Sequence, residues 1–128
     1  MTTPIEPVEP VALEQIQIDD LLSIDEGAGI IFAKFVATFN TNMPNGLALL
    51  RTLATTGDFP QIAFNAHKMK GAAGNLGASR LAQAFRKLEH AATANDDTEM
   101  QPLLDLLDAE YTAARSTLQA ELALLGRA

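Results

Sequence analysis

Two of the 128 residues are histidines, and one of them, His67, stands in a segment whose residue types could do chemistry. An imidazole is mostly neutral at pH 7, and a neutral ring nitrogen is a good nucleophile toward phosphorus. Lys70 follows about one helical turn later and could supply a positive charge to phosphoryl oxygens. Lys68 would point about 100° away from His67 on a helix, which makes it a secondary candidate. This spacing indicates phosphoryl transfer to a histidine.

Two glycines, Gly71 and Gly74, follow on the same predicted helix. Each glycine in a helix interior lowers stability by about 1 kcal/mol relative to alanine. Two of them on one helix therefore indicate a role that offsets this cost. They could clear space for a partner that must bring its backbone and reacting atom close to His67. Close packing against another helix is the alternative, and it is disfavoured because both glycines lie opposite the apolar stripe.

The segment from Asp58 to Leu76 is predicted to be the amphipathic helix that positions these residues. Asp58 and Gln61 form a capping-box pattern, Pro60 suits the first turn, and Gly77 ends the helix. The apolar stripe that should face the core consists of Ile62, Ala66, Met69, Ala73 and Leu76. The opposite, solvent-facing side carries Pro60, Ala63, Phe64, His67, Lys70, Gly71 and Gly74.

The chain before this segment is also predicted to be helical. Ile16 to Leu22 could form a short first helix. A second capping-box pattern at Ser23 and Glu26 predicts the start of another helix that ends near Asn40. The apolar stripe of that helix contains Ile31, Phe32, Phe35 and Phe39.

Further start and stop signals divide the rest of the chain. Pro44, just after Asn42, predicts a new helix that Gly57 stops. Ser79 is predicted to cap the next helix, and residues 95–97 should break the chain before the last one. The apolar stripes of the last two helices are Leu81, Phe85, Leu88 and Ala92, and then Leu104, Leu107, Tyr111, Ala114, Leu118 and Leu122.

These elements predict an all-α fold. Long amphipathic helices with short connections favour antiparallel neighbours, so we expect an antiparallel four-helix bundle with one or two short accessory helices over residues 16–128. No alternating β-branched pattern typical of strands is present. Residues 1–15 form a Pro/Glu-rich stretch that we expect to be a flexible tail.

Composition excludes several classes of function. The net charge is −7, from 9 basic and 16 acidic residues, which argues against nucleic-acid partners and anionic lipid. The absence of cysteine excludes disulfides, thiolate metal sites and cysteine nucleophiles. No stretch reaches the roughly 18 apolar residues of a membrane span, and the N-terminus does not resemble a secretory signal. We therefore expect a cytoplasmic protein.

The charge is unevenly distributed. No acidic residue lies between Asp58 and Glu89, whereas five of the nine basic residues do. The five are Lys68, Lys70, Arg80, Arg86 and Lys87. A run of charge is usually only a solvated face, but its coincidence with His67 and the glycines favours a local phosphoryl site.

The run from residue 66 to 78, AHKMKGAAGNLGA, resembles the signature of histidine-containing phosphotransfer (HPt) domains. The matching positions are His67, Lys70, Gly71, Gly77 and Leu81. Leu88-Glu89 is similar to the family's Leu-Glu on the following helix. The resemblance covers about residues 16–125, and such domains relay phosphoryl groups between receiver domains in phosphorelays.

The resemblance implies a four-helix bundle in which His67 accepts the phosphoryl group on its ε2 nitrogen. Lys70 would stabilise that group, Gly71 would allow close approach, and Glu89 would lie near the histidine. A receiver domain would supply the acceptor or donor aspartate and the Mg²⁺, so the chain itself needs no cofactor. Docking would use Ala63 and Phe64, and one histidine suggests a monomer.

Three other interpretations can be compared with the pattern. Di-metal bundles use Glu-x-x-His pairs, but Glu89 and His90 are adjacent, and His90 is expected to be a surface residue. A histidine kinase's dimerisation domain usually has an acidic residue after its histidine, where this chain has Lys68, and so short a chain has no ATP-binding region. A non-catalytic helical adaptor or chaperone stays open, as does the choice between a free-standing protein and a domain of a hybrid kinase.

Overall fold

Five α-helices account for most of the described chain. The structure, a computed structural model, describes residues 13–127. The helices are α1 (Gln15–Ser23), α2 (Ile30–Thr56), α3 (Phe59–Asn75), α4 (Ser79–Thr93) and α5 (Met100–Leu124), with a 3₁₀ turn at Asp97–Glu99. Residues 13–127 contain no strand, so the all-α prediction is confirmed.

Helices α2 to α5 form a bundle. α2 packs against α3 and α5, and α4 packs against the same two helices, so the four close a ring around one core. Because the connections between successive helices are short, neighbours in the ring run antiparallel. The most extensive contact is between α3 and α4, the two helices that carry the candidate site. α1 and the 3₁₀ turn are the accessory elements.

The core is apolar throughout the described residues, with no buried polar or charged residue among them. The stripes predicted for the last two helices are all buried. Tyr111 reaches the edge of the core, where its hydroxyl donates to Asn40 Oδ1 at 3.0 Å and its ring lies 5.5 Å from that of Phe39. This apolar interior leaves the charged side chains of the described residues on the outside of the bundle.

The predicted break near Asn40 is wrong, because α2 runs without interruption through Pro44. Proline in a helix interior costs about 3 kcal/mol. However, Phe39, Met43 and Leu47 are buried on either side of it, and each contributes about 1.5–3 kcal/mol by burial. Pro44 itself is exposed. The continuous apolar stripe therefore outweighs the local cost.

The capping box predicted at Ser23 and Glu26 is also wrong. Ser23 ends α1, and its hydroxyl donates to the Asp20 carbonyl. The residue that caps α2 is Asp25, whose carboxylate accepts N–H groups from Gly29, Ile30 and Ile31 at 3.2, 2.8 and 3.0 Å. These backbone hydrogen bonds hold the pKa of Asp25 below its ordinary value, and the one from Ile31 has the largest effect.

The folded part of the chain begins earlier than predicted. Leu13 packs against the core, the Glu14 N–H donates to the Gly77 carbonyl at 2.6 Å, and Gln15 opens α1. Residues 13–15 therefore belong to the bundle, because an apolar side chain and a backbone hydrogen bond anchor them. The rest of the predicted tail, residues 1–12, lies outside the described residues.

The boundaries of α3 agree with the prediction more closely. Asp58 caps the helix by accepting the Gln61 N–H at 3.3 Å, although the Asp58 N–H is bonded to the Leu53 carbonyl rather than to a side chain. Gly77 follows the helix with φ of +75°. Ser79 was expected to cap α4, but it is the first helical residue and makes no side-chain cap.

Candidate functional site

His67 lies in the middle of α3, and the position of the apolar stripe decides its exposure. Ile62, Ala66, Met69 and Ala73 are buried against the core, and the Asp58 cap starts the helix in the register that places them there. His67 is therefore turned outward, with 70% of its side chain exposed. The solvent-facing position predicted from the sequence is the one observed.

A carboxylate from the neighbouring helix holds the imidazole. Glu89 of α4 places Oε2 2.8 Å and Oε1 3.3 Å from His67 Nδ1. Lys70, one turn along α3, donates from Nζ to Glu89 Oε1 at 3.4 Å. Only 18% of the Glu89 side chain is exposed. The anion is thus set into the α3/α4 interface, and both basic side chains converge on it.

Glu89 is a stronger acid in this setting than in water. Partial burial raises its pKa, but the hydrogen bonds from His67 and Lys70 and the positive charge of Lys70 lower it by more, so the pKa lies below its ordinary value. The side chain is accordingly a carboxylate at neutral pH.

The ionised state of Glu89 fixes the tautomer of the histidine. A carboxylate can only accept hydrogen bonds, so the proton between the two groups is carried by Nδ1. In the neutral ring the lone pair then lies on Nε2, on the other side of the imidazole. The arrangement therefore presents one unprotonated nitrogen toward solvent and keeps the other bound to the protein.

The surface around that nitrogen is open. A Cβ at Gly71 or at Gly74 would meet no heavy atom within 4 Å, so neither glycine is needed for packing inside the bundle. Phe64, one turn before His67, is 66% exposed. Another protein surface could therefore approach His67 closely, with small residues on one side and an aromatic ring on the other.

A comparison with protein families matches residues 34–117 to the Hpt domain model, over more than half of the chain and including the whole of α3 and α4. The chain belongs to the Hpt domain family. This membership makes it a phosphotransfer protein of two-component signalling, and a carrier rather than a kinase.

A solved structure shares the fold of this Hpt domain. The crystal structure of histidine-containing phosphotransfer protein B (HptB) from Pseudomonas aeruginosa PAO1 superposes with a TM-score of 0.80 at 22% sequence identity, covering 88% of this chain and 96% of that one. No protein in the curated set compared with the chain matches it significantly.

The basic side chains of the Hpt domain are less concentrated around His67 than the sequence pattern suggests. Arg80 pairs with Glu110 of α5 at 2.7 Å. Lys87 lies with it along the α4/α5 groove, and Lys68 lines a groove between α3 and α2. Of the five, Lys70 alone is hydrogen-bonded into the His67 cluster among the described residues. The carboxylate of Glu89, which ends the basic interval in the sequence, lies beside His67 in the structure.

The remaining candidate positions are placed as follows. Ala63 is partly buried and packs against the core, so it offers less docking surface than expected. His90 is exposed and forms no ion pair among the described residues, as anticipated for a surface histidine. No cluster of three or more metal-ligating side chains occurs between residues 13 and 127. None of the helices in that range is long and apolar enough to cross a membrane.

The contact between His67 and Glu89 is the feature that residue patterns alone did not give. The resemblance placed Glu89 near the histidine, but not in direct hydrogen bonding with it. One signal was available: Glu89 is the first acidic residue after the long basic interval. It adjoins Leu88 of the buried α4 stripe, which brings it close to the neighbouring helix.

Proposed function

We propose that His67 is the phosphoacceptor of a phosphorelay, taking a phosphoryl group from the aspartyl phosphate of one receiver domain and passing it to the aspartate of another. The observation that carries this proposal is the hydrogen bond between His67 Nδ1 and the Glu89 carboxylate. This hydrogen bond orients the imidazole through Nδ1 and leaves the lone pair of Nε2 free on the exposed side chain.

The proposed step is a displacement at phosphorus. The Nε2 lone pair forms the N–P bond while the bond from phosphorus to the receiver's carboxylate oxygen breaks, and the aspartate leaves as a carboxylate. No proton has to leave Nε2, because the proton of the ring is on Nδ1. The ring becomes positively charged, and the Glu89 carboxylate at 2.8 Å offsets that charge. Transfer onward reverses the same step.

Lys70 has the proposed role of stabilising the phosphoryl oxygens. Its ammonium group lies beside the imidazole through their shared partner Glu89, at a hydrogen-bond distance of 3.4 Å that is long for a charged pair. A phosphoryl group on Nε2 would carry negative oxygens within reach of this flexible side chain. Positioning and charge neutralisation supply most of the catalysis in such transfers.

The proposed partners are receiver domains of response regulators or of a hybrid histidine kinase. Gly71 and Gly74 leave room for the receiver's backbone, and Phe64 offers an exposed aromatic contact, with Ala63 and Lys68 at the margins. The Mg²⁺ of the reaction would come from the receiver, since the Glu89 carboxylate is already engaged by two basic groups. We further propose that the protein acts in the cytoplasm as a monomer, with no nucleic-acid or membrane partner.

The test is phosphoryl transfer from a panel of phosphorylated receiver domains to the full chain. We expect an acid-labile, base-stable label on the wild type and on a His90→Gln control, and none on His67→Gln. Circular dichroism should show unchanged helicity, because His67 is exposed. Labelling of His67→Gln at the wild-type level would place the acceptor on another residue and contradict the proposal. Failure of every receiver to label the wild type would favour a non-catalytic adaptor instead.

A further inference from the structure

An apolar groove of about 520 Å³ runs between α2 and α3, on a different side of α3 from Glu89. Phe39, Met43 and Met69 form part of its lining and are buried, whereas Phe35 and Leu49 are exposed at its walls. Phe35 was expected in the core, and its exposure here is one of the departures from the sequence pattern. Large apolar side chains that line a concave surface mark a binding site.

The polar residues around the groove could bind an extended peptide with negative charges. Four asparagines line it, at Asn42, Asn45, Asn65 and Asn75. Amide groups can hydrogen-bond a backbone that has no internal hydrogen bonds. Lys68 is the one charged lining residue, and it forms no ion pair within residues 13–127. The groove is therefore apolar inside, with hydrogen-bonding groups and a positive charge at its edge.

Residues 1–12 have the complementary pattern. Their sequence, MTTPIEPVEPVA, repeats with a period of three. The period groups Pro4 with Pro7 and Pro10, Ile5 with Val8 and Val11, and Glu6 with Glu9. A polyproline II helix has three residues per turn, so in that conformation each group would lie along its own edge. Such a segment is amphipathic, with an apolar edge beside an acidic one.

The attachment point allows this segment to reach the groove. The Glu14 N–H is bonded to the Gly77 carbonyl, and Leu76 and Asn75, next to it in the chain, line one end of the groove. Along α3 the groove extends from Asn75 back to Asn65, about 15 Å at 1.5 Å per residue. Twelve residues in polyproline II conformation span roughly 37 Å. A tethered segment also has a high effective concentration at a site within its reach.

We propose that residues 1–12 bind in the α2/α3 groove of their own chain as a polyproline II segment. Ile5, Val8 and Val11 pack against the walls formed by Phe35 and Leu49, as Pro-rich peptides do in aromatic-lined grooves. The acidic edge faces Lys68. Because Lys68 adjoins His67, the bound segment stands beside the face proposed for receiver docking, and this consequence alone rests on the proposed function.

Spin labelling tests the proposal in the full chain. The chain has no cysteine, so Thr3→Cys gives a single attachment site for a nitroxide. We expect paramagnetic broadening to remove most of the amide NMR signal of Asn45 and Ala72 in the groove. The amide signals of Gln83 and Leu106, which line the α4/α5 groove on the opposite side of the bundle, should remain. Adding Val8→Asp to the labelled chain should restore the groove signals.

A charge exchange supplies the matched control. Glu6→Lys with Glu9→Lys should weaken the broadening at the groove, and Lys68→Glu added to that pair should recover it. Weak broadening spread evenly over the surface, or broadening centred elsewhere, would overturn the proposal. So would broadening that persists when the nitroxide and the ¹⁵N label are on different chains, which would show binding between copies. None of these readouts involves phosphorylation, so their failure leaves the role of His67 untouched.

Discussion

Two of the charged clusters that join neighbouring helices differ in which partner is exposed to solvent. In the first, Glu89 is mostly shielded while His67 is exposed. In the second, Arg51 of α2 binds Asp105 and Asp108 of α5, and the most exposed member is Asp105, at 72% against 37% for the arginine. One cluster shields its anion, and the other leaves its anions in water.

Shielding of the anion alone does not make a site, because Glu110 is equally shielded beside Arg80. What distinguishes the first cluster is that the exposed partner of its anion is a nucleophile. A carboxylate held 2.8 Å from Nδ1 can fix the tautomer of the imidazole and offset a charge that develops on the ring. The solvated aspartates around Arg51 gain little from their pairing, and the cluster exposes no nucleophile. The group that a cluster leaves open to solvent is therefore more informative than the number of its ion pairs.

The largest expected effect comes from removing the shielded anion. Glu89→Ala should slow single-turnover phosphoryl transfer at least about tenfold, or about 1.4 kcal/mol of barrier, because the imidazole loses its orienting acceptor. Glu89→Gln should recover part of the rate, since an amide oxygen can accept a hydrogen bond from the Nδ1–H group. Glu110→Ala is the matched control, because Glu110 is equally shielded but pairs with Arg80. Equal rates for Glu89→Ala and Glu110→Ala would contradict the role given to Glu89.

The open surface around His67 gives the next effect. Gly71→Leu should slow transfer from a receiver several-fold while raising the free energy of unfolding by up to about 1 kcal/mol, because the new side chain enters open space on a helix. Ala109→Leu adds similar bulk to an exposed position of α5 and should leave transfer unchanged. Denaturant unfolding and transfer rates, measured on the same protein, check whether stability rises while transfer slows. A Gly71→Leu protein that transfers normally would show that the receiver docks elsewhere.

The pH dependence of stability distinguishes the shielded carboxylate from an ordinary one. Because the folded-state pKa of Glu89 is lowered from 4.5, its contribution is fully present above the unfolded-state pKa and is lost as pH falls through the folded-state pKa. The stability difference between the wild type and Glu89→Gln should therefore shrink on acidification below about pH 4.5. Urea titrations at a series of pH values measure it. A difference independent of pH would mean that the ionised group gains nothing from His67 and Lys70.

The smallest effect is expected at the solvated cluster. Arg51→Ala should lower the free energy of unfolding by no more than about 1 kcal/mol and should leave phosphoryl transfer at the wild-type rate. The same unfolding and transfer assays apply. A loss of transfer comparable to that of Glu89→Ala would remove the distinction between the two clusters.

How much of the structure the sequence predicts depends on how local each feature is. α3 has a cap at Asp58, a stop at Gly77 and an uninterrupted apolar stripe, so its limits and the exposure of His67 could be predicted from local signals. The start of α2 could not be predicted in this way, because both Ser23 and Asp25 are residue types that cap helices. Which of them caps α2 depends on where α1 ends and how the connecting turn folds. The helix end expected near Asn40 is absent because burial along the whole of α2 outweighs the local preference of Pro44 for a first turn.

The residues of the candidate site also differ in whether their positions depend on one helix or on the packing of two. His67, Lys70 and Gly71 lie within one helix, so their spacing in the sequence is also their spacing in the structure. The approach of Glu89 depends on how α4 packs against α3, which no spacing within a single helix encodes. The dispersal of Arg80 and Lys87 toward α5 has the same origin, since a basic run in the sequence is divided among the faces of a helix.

The most direct measurement of the central claim is the position of the phosphoryl group on the ring. Long-range ¹H–¹⁵N NMR of the uniformly ¹⁵N-labelled, phosphorylated chain reports both nitrogens of each histidine. We predict that phosphorus is bonded to Nε2 of His67, that Nδ1 keeps its proton toward Glu89, and that the spectrum of His90 is unchanged. Phosphorus on Nδ1 of His67, or on His90, would contradict the account.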